Sequence, residues 1–249
     1  MKKILEELGK TVPVQLQIIH RAFLIFNSHL KTYWSTMRTI YGMLFIWLIV
    51  VSISANGQAT NDQKALDEKV QAFLTKNKSK WRDLNVPYED GKVLYDVIVK
   101  NKYTSAIEIG TSTGHSTIWI AWALSKTGGK LITIEIDPER QKTAIENLKA
   151  VGLSDYVDAR LADAHDLVKE LQGPFDFVFS DADKTWYTQY FKDLQDKLSV
   201  GACFTAHNVN NNFSGVTEFM EYVKSQKNFE TTIVGSRGEG VSLSYKKSK

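Results

Sequence analysis

The chain has 249 residues, 43% hydrophobic and 24% charged, with a net charge of +3, which suits one α/β domain plus an appendage. The excess charge sits in the first 57 residues, where Lys2, Lys3, Lys10, Arg21, Lys31 and Arg38 face only Glu6 and Glu7, leaving 25 basic and 26 acidic side chains beyond. That balance offers no basic stripe for nucleic acid, and the lone Cys203 excludes an intrachain disulfide.

Residues 1–36 read as an N-terminal extension, or as sequence upstream of a true start at Met37. Residues 40–53, IYGMLFIWLIVVSI, form an almost unbroken apolar run. It is short for a membrane span of roughly 20 residues and fits the core of a secretory signal peptide. Ala55 and Gly57 supply a cleavage site before Gln58, so residues 37–57 are expected to be a signal peptide. If uncleaved, the segment anchors the protein to a membrane through 40–55, with its basic side in the cytoplasm. The domain over 58–249 then faces away from the cytoplasm, and it is cytoplasmic only if the segment is no functional signal.

Residues 59–79 have apolar positions Ala65, Val70, Phe73 and Leu74 on one helical face. A loop over 81–87 leads to a second helix from Asp90 and Gly91. Next comes SAIEIGTSTGHSTIW, residues 105–119: a short buried strand, a glycine turn from Gly110 to Gly114, and a helix opening near Ser116. Strand and helix then alternate: 131–135 and 139–151, 157–161 and 164–171, 175–180 and 185–198, 202–206 and 215–226. Such alternation predicts a mostly parallel sheet with helices on both faces. The last two strands, 229–234 and 240–245, are joined by five residues, too few for a crossover, so they form an antiparallel hairpin. The expected fold is α/β and Rossmann-like, a seven-stranded sheet closed by a C-terminal hairpin.

The glycine turn selects among ligands. A dinucleotide needs G-x-G-x-x-G so that pyrophosphate can lie on bare backbone, but here Ser112 and His115 occupy the second and third glycine positions. The turn instead follows a carboxylate, Glu108. That arrangement repels pyrophosphate and suits a ligand bearing an ammonium and a sulfonium, which describes S-adenosylmethionine. Glu135 ends the second strand about 25 residues past Gly110, near the offset of roughly 20 at which an acid takes ribose hydroxyls. Asp137 reads as a helix N-cap. Asp163 either accepts from an adenine amine or caps the helix that follows, and His165 reads as a solvent-facing helix residue.

Strands four and five end in Asp181-Ala182-Asp183-Lys184 and His207-Asn208. Neighbouring strand ends converge on one crevice, so Asp181, His207 and Asn208 are candidate ligands of a cation such as Mg²⁺ or Mn²⁺. The imidazole shifts preference toward Mn²⁺, Fe²⁺ or Zn²⁺. Lys184 is the candidate general base, and Asp183 and Lys184 otherwise read as a solvated helix start. Cys203 falls in a buried strand and reads as a small hydrophobe.

Together EIGTSTGHST, TIEID, FVFSDADKTWY and the late His-Asn resemble the bacterial branch of the cation-dependent O-methyltransferases that act on catechols and caffeoyl-CoA. The similarity runs from about Asp90 to Lys247. It implies the class I methyltransferase fold, with Glu108, Gly110, Ser112 and Ser116 at the methionine end of S-adenosylmethionine and Glu135 on the ribose. Asp163 and Ala164 would border the adenine, Asp181 would bind metal beside the cofactor, and Lys184 would act as base. The family pattern calls for Asp-Asn where this chain has His207-Asn208, an exchange that removes a negative charge from the metal shell and weakens Mg²⁺. The Asn-rich segment 208–212 also departs from the family's usual substrate loop.

The expected activity is therefore methyl transfer to the hydroxyl of a small, aromatic acceptor. One variant dispenses with metal and uses His207 or Lys184 as base. The alternative is a non-catalytic S-adenosylmethionine-binding protein that has lost the metal site. A nicotinamide-dependent oxidoreductase is disfavoured by the missing pyrophosphate glycine. A homodimer is a further expectation.

Overall fold

Seven strands form one sheet in the order β3-β2-β1-β4-β5-β7-β6, in a computed structural model that describes residues 21–30, 33–34, 37, 41, 60–81, 84–235 and 239–248. The chain divides into two units, Met1–Asp62 and Gln63–Lys249. In the first, residues 21–30 are helical. Apart from Met37 and Tyr41, which are helical, the expected signal or anchor over 37–57, and most of the extension over 1–36, lie outside the described residues. Among the described residues no helix is long and apolar enough to cross a membrane.

Helix α1 (residues 60–76) starts three residues before the second unit, which continues with α2 (Tyr88–Asn101). Then β1 (Ser105–Ile109), α3 (His115–Thr127), β2 (Lys130–Glu135), α4 (Pro138–Val151), β3 (Val157–Leu161), α5 (Ala164–Glu170) and β4 (Phe175–Ser180) alternate as the sequence predicts. They are followed by α6 (Tyr187–Leu194), β5 (Leu198–His207), α7 (Val216–Ser225), β6 (Phe229–Val234) and β7 (Val241–Lys246). The first five strands are parallel, and β7 runs antiparallel between β5 and β6. The Rossmann-like α/β architecture expected above, a mostly parallel seven-stranded sheet closed by an antiparallel hairpin, is the one observed.

One boundary differs. The helix expected over 185–198 becomes a 3-10 turn at Lys184–Trp186, then α6, then a second 3-10 turn at Gln195–Lys197. Leu198 already pairs with Phe175, so β5 starts four residues before the expected 202. The register shift between Phe175 and Phe177 absorbs the extra residues of β5. Gly201, which lies in that early part of β5, has φ +86 and would read as a helix stop from sequence.

Alternation along the strands builds two cores. Ile107, Ile109, Val178 and Phe204 face α6 and α7, where Phe191 meets Phe204 and Phe229 at ring separations of 5.1 and 4.9 Å. Ala106, Phe177, Phe179 and Cys203 face the other way, onto Leu94, Ile98 and Ile120 of α2 and α3. The buried, unpaired Cys203 is therefore a packing residue. On the outside of α3, Trp119 and Trp122 pack with Val70 and Leu74 of α1. Each such buried side chain contributes roughly 1.5–3 kcal/mol.

His115 ties the segment before α2 to the start of α3. It is 1% exposed, its Nδ1 donates to the Val86 carbonyl at 2.8 Å, and its Nε2 accepts from the Trp119 indole at 3.2 Å. Trp81 stacks on the ring at 4.7 Å. Burial lowers its pKa to about 4, against the opposing pull of the Val86 carbonyl, so the ring is neutral at neutral pH. One of the two residues that break the dinucleotide pattern is thus a structural pin.

Candidate functional site

Beyond the carboxyl ends of β1, β2, β4 and β5 lies a cleft of about 580 Å³, lined among others by Gly110, Ser112, Glu135, Asp181, Lys184 and His207. It continues into a smaller lobe of about 250 Å³ that shares Gly110 and Glu135 and is closed by Ile136, Ala162, Ala164, Asp163 and Tyr190. Gly110 sets this geometry. Its φ is +98, and a Cβ there would meet the Asp181 carbonyl oxygen at 2.8 Å. Only glycine lets the chain leaving β1 pass so close to the chain leaving β4.

Glu135 is 8% exposed, which removes the solvated strand end as its explanation. Oε2 accepts the Ser112 N–H at 2.7 Å and Oε1 accepts from Ile136 and Asp137 at 3.0 Å each. Two carboxylate oxygens take about four hydrogen bonds, so one position remains toward the cleft. Ser112 itself sits at φ +47, and its N–H is turned onto Glu135.

Asp163 is the helix cap that was one of its two expected readings. Its Oδ1 accepts the His165 N–H at 2.8 Å as the cap of α5, and the residue also lines the small lobe beside Ala164. His165 corrects the expectation of a solvent-facing residue. Its ring stacks on Trp186 at 3.8 Å, and its nitrogens lie 3.5 Å from Asp163 and Asp183.

Glu108 is a second correction, because the structure takes it out of the cleft wall. It shares the strand face of Ala106, which α3 covers, and it is 0% exposed. Thr117 and Thr133 donate to Oε2 at 2.6 Å each, Ser116 also bonds the carboxyl, and Oε1 has no partner. Ser116 thus serves Glu108 and lines neither lobe. Glu135 reaches the crevice because it lies farther along the sheet, past the residue paired with Ile109.

At the other wall, Lys184 Nζ donates to Asp181 Oδ1 at 2.7 Å. Asp181 Oδ2 lies 3.2 Å from His207 Nδ1, out of line for a good hydrogen bond. The opposite nitrogen of the ring, Nε2, faces Asp90 at 3.0 Å and Glu239 at 3.2 Å. Burial alone lowers the pKa of His207, but Asp181 and Asp90 outweigh it and raise the value to about 9. Tyr187, beneath, donates to the His207 carbonyl at 3.2 Å. Asn208 lines the cleft at φ +59.

Asp181 and His207, of the expected cation set, do come together. Asp90 and Glu239 were not foreseen. Asp90 reads from sequence as the solvated first turn of a helix and Glu239 as part of a hairpin loop. The available signal was His207 itself, since a buried imidazole in place of a carboxylate calls for acids nearby.

Burial raises the pKa of Glu108 to about 7, against the pull of Ser116, Thr117 and Thr133. The folded pKa lies above the unfolded one, so the stabilisation is full below about 4.5 and is lost as pH rises through about 7. Glu108→Gln removes this titration. Between pH 4.5 and 8 the stability of wild type should fall relative to the variant by on the order of 3 kcal/mol in denaturant titrations. A difference independent of pH would show that the carboxyl is ionised throughout.

An O-methyltransferase family model matches residues 54–229. A catechol O-methyltransferase of Niastella koreensis is 39% identical over 130 residues, 51% of this chain and 58% of that protein. A catechol O-methyltransferase of Mycobacterium tuberculosis is 34% identical over 50% of this chain and 56% of its own. The chain spans little more than half the length of the curated relatives it matches. A solved O-methyltransferase from Bacillus cereus, in complex with SAH, is 27% identical and superposes with a TM-score of 0.62 over 74% of this chain and 91% of its own. TomG of Streptomyces achromogenes, an O-methyltransferase solved with SAM, gives 27% and 0.61 over 74% and 90%. With the family model covering well over half of its residues, the chain belongs to the O-methyltransferase family.

Proposed function

We propose that residues 58–249 form an S-adenosylmethionine-dependent O-methyltransferase acting on a hydroxyl of a small aromatic acceptor. The observation that carries this reading is that Glu135 and the Asp181–Lys184 pair border one continuous cleft. In it the ribose meets Glu135, the adenine fills the lobe bordered by Asp163 and Ala164, and the methionine end runs past Gly110 and Ser112 toward Asp181. Glu108 acts from beneath, through Ser116 and the turn it supports. Leu84 and Phe213, 73% and 49% exposed on the cleft wall, offer apolar surface to an aromatic ring.

The chemistry is an in-line displacement, so positioning and removal of one proton are most of the work. In its neutral amine form Lys184 Nζ, held in place by Asp181, takes the proton of the acceptor O–H and becomes the ammonium. The oxygen lone pair forms the new C–O bond as the S–CH₃ bond breaks, leaving a neutral thioether. His207 is 2% exposed, whereas Lys184 lines the cleft with its side chain 22% exposed, which favours Lys184 as the base. The nitrogen and carboxylate donors around His207 fit a divalent cation, which when bound makes an acceptor hydroxyl more acidic. A binding protein without chemistry has no observation in its favour, since the Asp181–Lys184 pair is in place.

In the same reading the apolar run over 40–53 exports or anchors the domain. N-terminal sequencing of the chain recovered from its native host tests this, with a mature start at Gln58 or membrane retention of the intact chain expected. Recovery of an intact, unattached chain would contradict it. Lys184→Met should lower turnover on a catechol acceptor by about 10²-fold or more while S-adenosylmethionine affinity by calorimetry stays within about twofold of wild type. Unchanged turnover would falsify the role of Lys184 as base.

A further inference from the structure

The expected ligands, Asp181, His207 and Asn208, assume that the imidazole presents a lone pair to the same ion as Asp181. The two ring nitrogens face different carboxylates. Nδ1 is the atom beside Asp181, and Nε2 points away from it, toward Asp90 and Glu239. Asp90, His207 and Glu239 each offer one ligand atom, and all three atoms lie within 4.8 Å of one another. An ion about 2.1 Å from each donor has neighbouring donors about 3.0 Å apart in an octahedron and about 3.4 Å apart in a tetrahedron. The observed edges from Nε2, 3.0 and 3.2 Å, fall in that range.

We propose that Asp90, His207 Nε2 and Glu239 form a site for a divalent first-row transition ion, with Asp181 supporting the imidazole from its other nitrogen. What such an ion does for methyl transfer rests on the function proposed above, but where it binds does not. A histidine that ligates through one nitrogen usually gives the other to a carboxylate, which fixes the ring and strengthens it as a ligand. Asp181, 3.2 Å from Nδ1, is the carboxylate on that side of the ring, although the contact is out of line for a good hydrogen bond.

The fold is shaped to hold both carboxylates. Asp90 is 0% exposed, where an ionised acid needs a compensating positive charge. At Gly235 a Cβ would come within 2.5 Å of Asp90 Oδ1, so the hairpin end has glycine where it crosses that carboxylate. Glu239 is held by its backbone, its carbonyl accepting the Asn210 N–H at 2.9 Å, and the next residue, Gly240, leaves room for the Asn210 side chain. The Asn-rich segment thereby carries the hairpin end onto His207.

The donor chemistry selects the ion. An imidazole with two carboxylates favours Mn²⁺, Fe²⁺, Co²⁺ or Zn²⁺, whereas Mg²⁺ prefers an all-oxygen shell and retains its water. Mn²⁺ titrated into the full chain and followed by electron paramagnetic resonance is the direct probe. One equivalent should bind, and Mg²⁺ in tenfold excess should not displace it. Glu239→Gln, at a half-exposed position, and Asp90→Asn should each weaken Mn²⁺ binding by about tenfold or more. Asn208→Gly, which keeps the left-handed backbone, should leave it within about twofold. If Asn208→Gly abolishes binding while Glu239→Gln does not, the ion sits on the cleft-side set and the proposal is wrong. No Mn²⁺ binding by the folded wild type would also overturn it, leaving the carboxylates only to hold a protonated ring. Calorimetry with S-adenosylmethionine on the same samples separates the two readings: a chain that binds Mn²⁺ but no S-adenosylmethionine keeps this site and loses the proposed function.

Discussion

The approach of two chain segments at Gly110 is the constraint on which the site depends. The Asp181 N–H donates to the Ile109 carbonyl at 2.8 Å, so strands β1 and β4 stay paired up to the lip of the crevice. Beyond that bond the chain from β1 must turn away, and the Asp181 carbonyl occupies the space a side chain at 110 would need. The turn then carries Ser112 onto Glu135. One absent Cβ thus brings the ends of β1, β2 and β4 around a common opening, with Glu135 from the end of β2 and Asp181 from the end of β4 on its walls.

Acidity is the second theme, and it is handled differently at each position. Glu135 is satisfied by three backbone N–H groups and is held rigid at the cleft. Glu108 is buried with one oxygen orphaned, and the fold favours its neutral form. Asp90, Asp181 and Glu239 surround His207 and Lys184. A cationic ligand entering the cleft therefore meets fixed negative charge on both walls, which is the preorganised electrostatic environment that a sulfonium requires.

Much of this was legible in the sequence, and the limits have identifiable causes. Strand–helix alternation and the short final connection specified the parallel sheet and its hairpin, because both signals are local. The strand ends at Glu135, Asp181 and His207 could be placed on one crevice by topology alone. What failed needed direction or distance. Glu108 was assigned to the cleft, although its place in the strand alternation turns it toward α3. His165 looked exposed because its partner, Trp186, is 21 residues on and stacks on it only in the folded chain. Asp90 and Glu239 are separated from His207 by 117 and 32 positions, and no local pattern joins them.

The account's central claim is that the opening at Gly110 receives a sulfonium nucleoside and not a dinucleotide. Calorimetric titration of the full chain with S-adenosylmethionine and, separately, with NAD tests it most directly. One equivalent of S-adenosylmethionine bound, with no measurable heat from NAD, is the predicted result. NAD binding as tightly as S-adenosylmethionine, or no binding of S-adenosylmethionine by the folded chain, would contradict it.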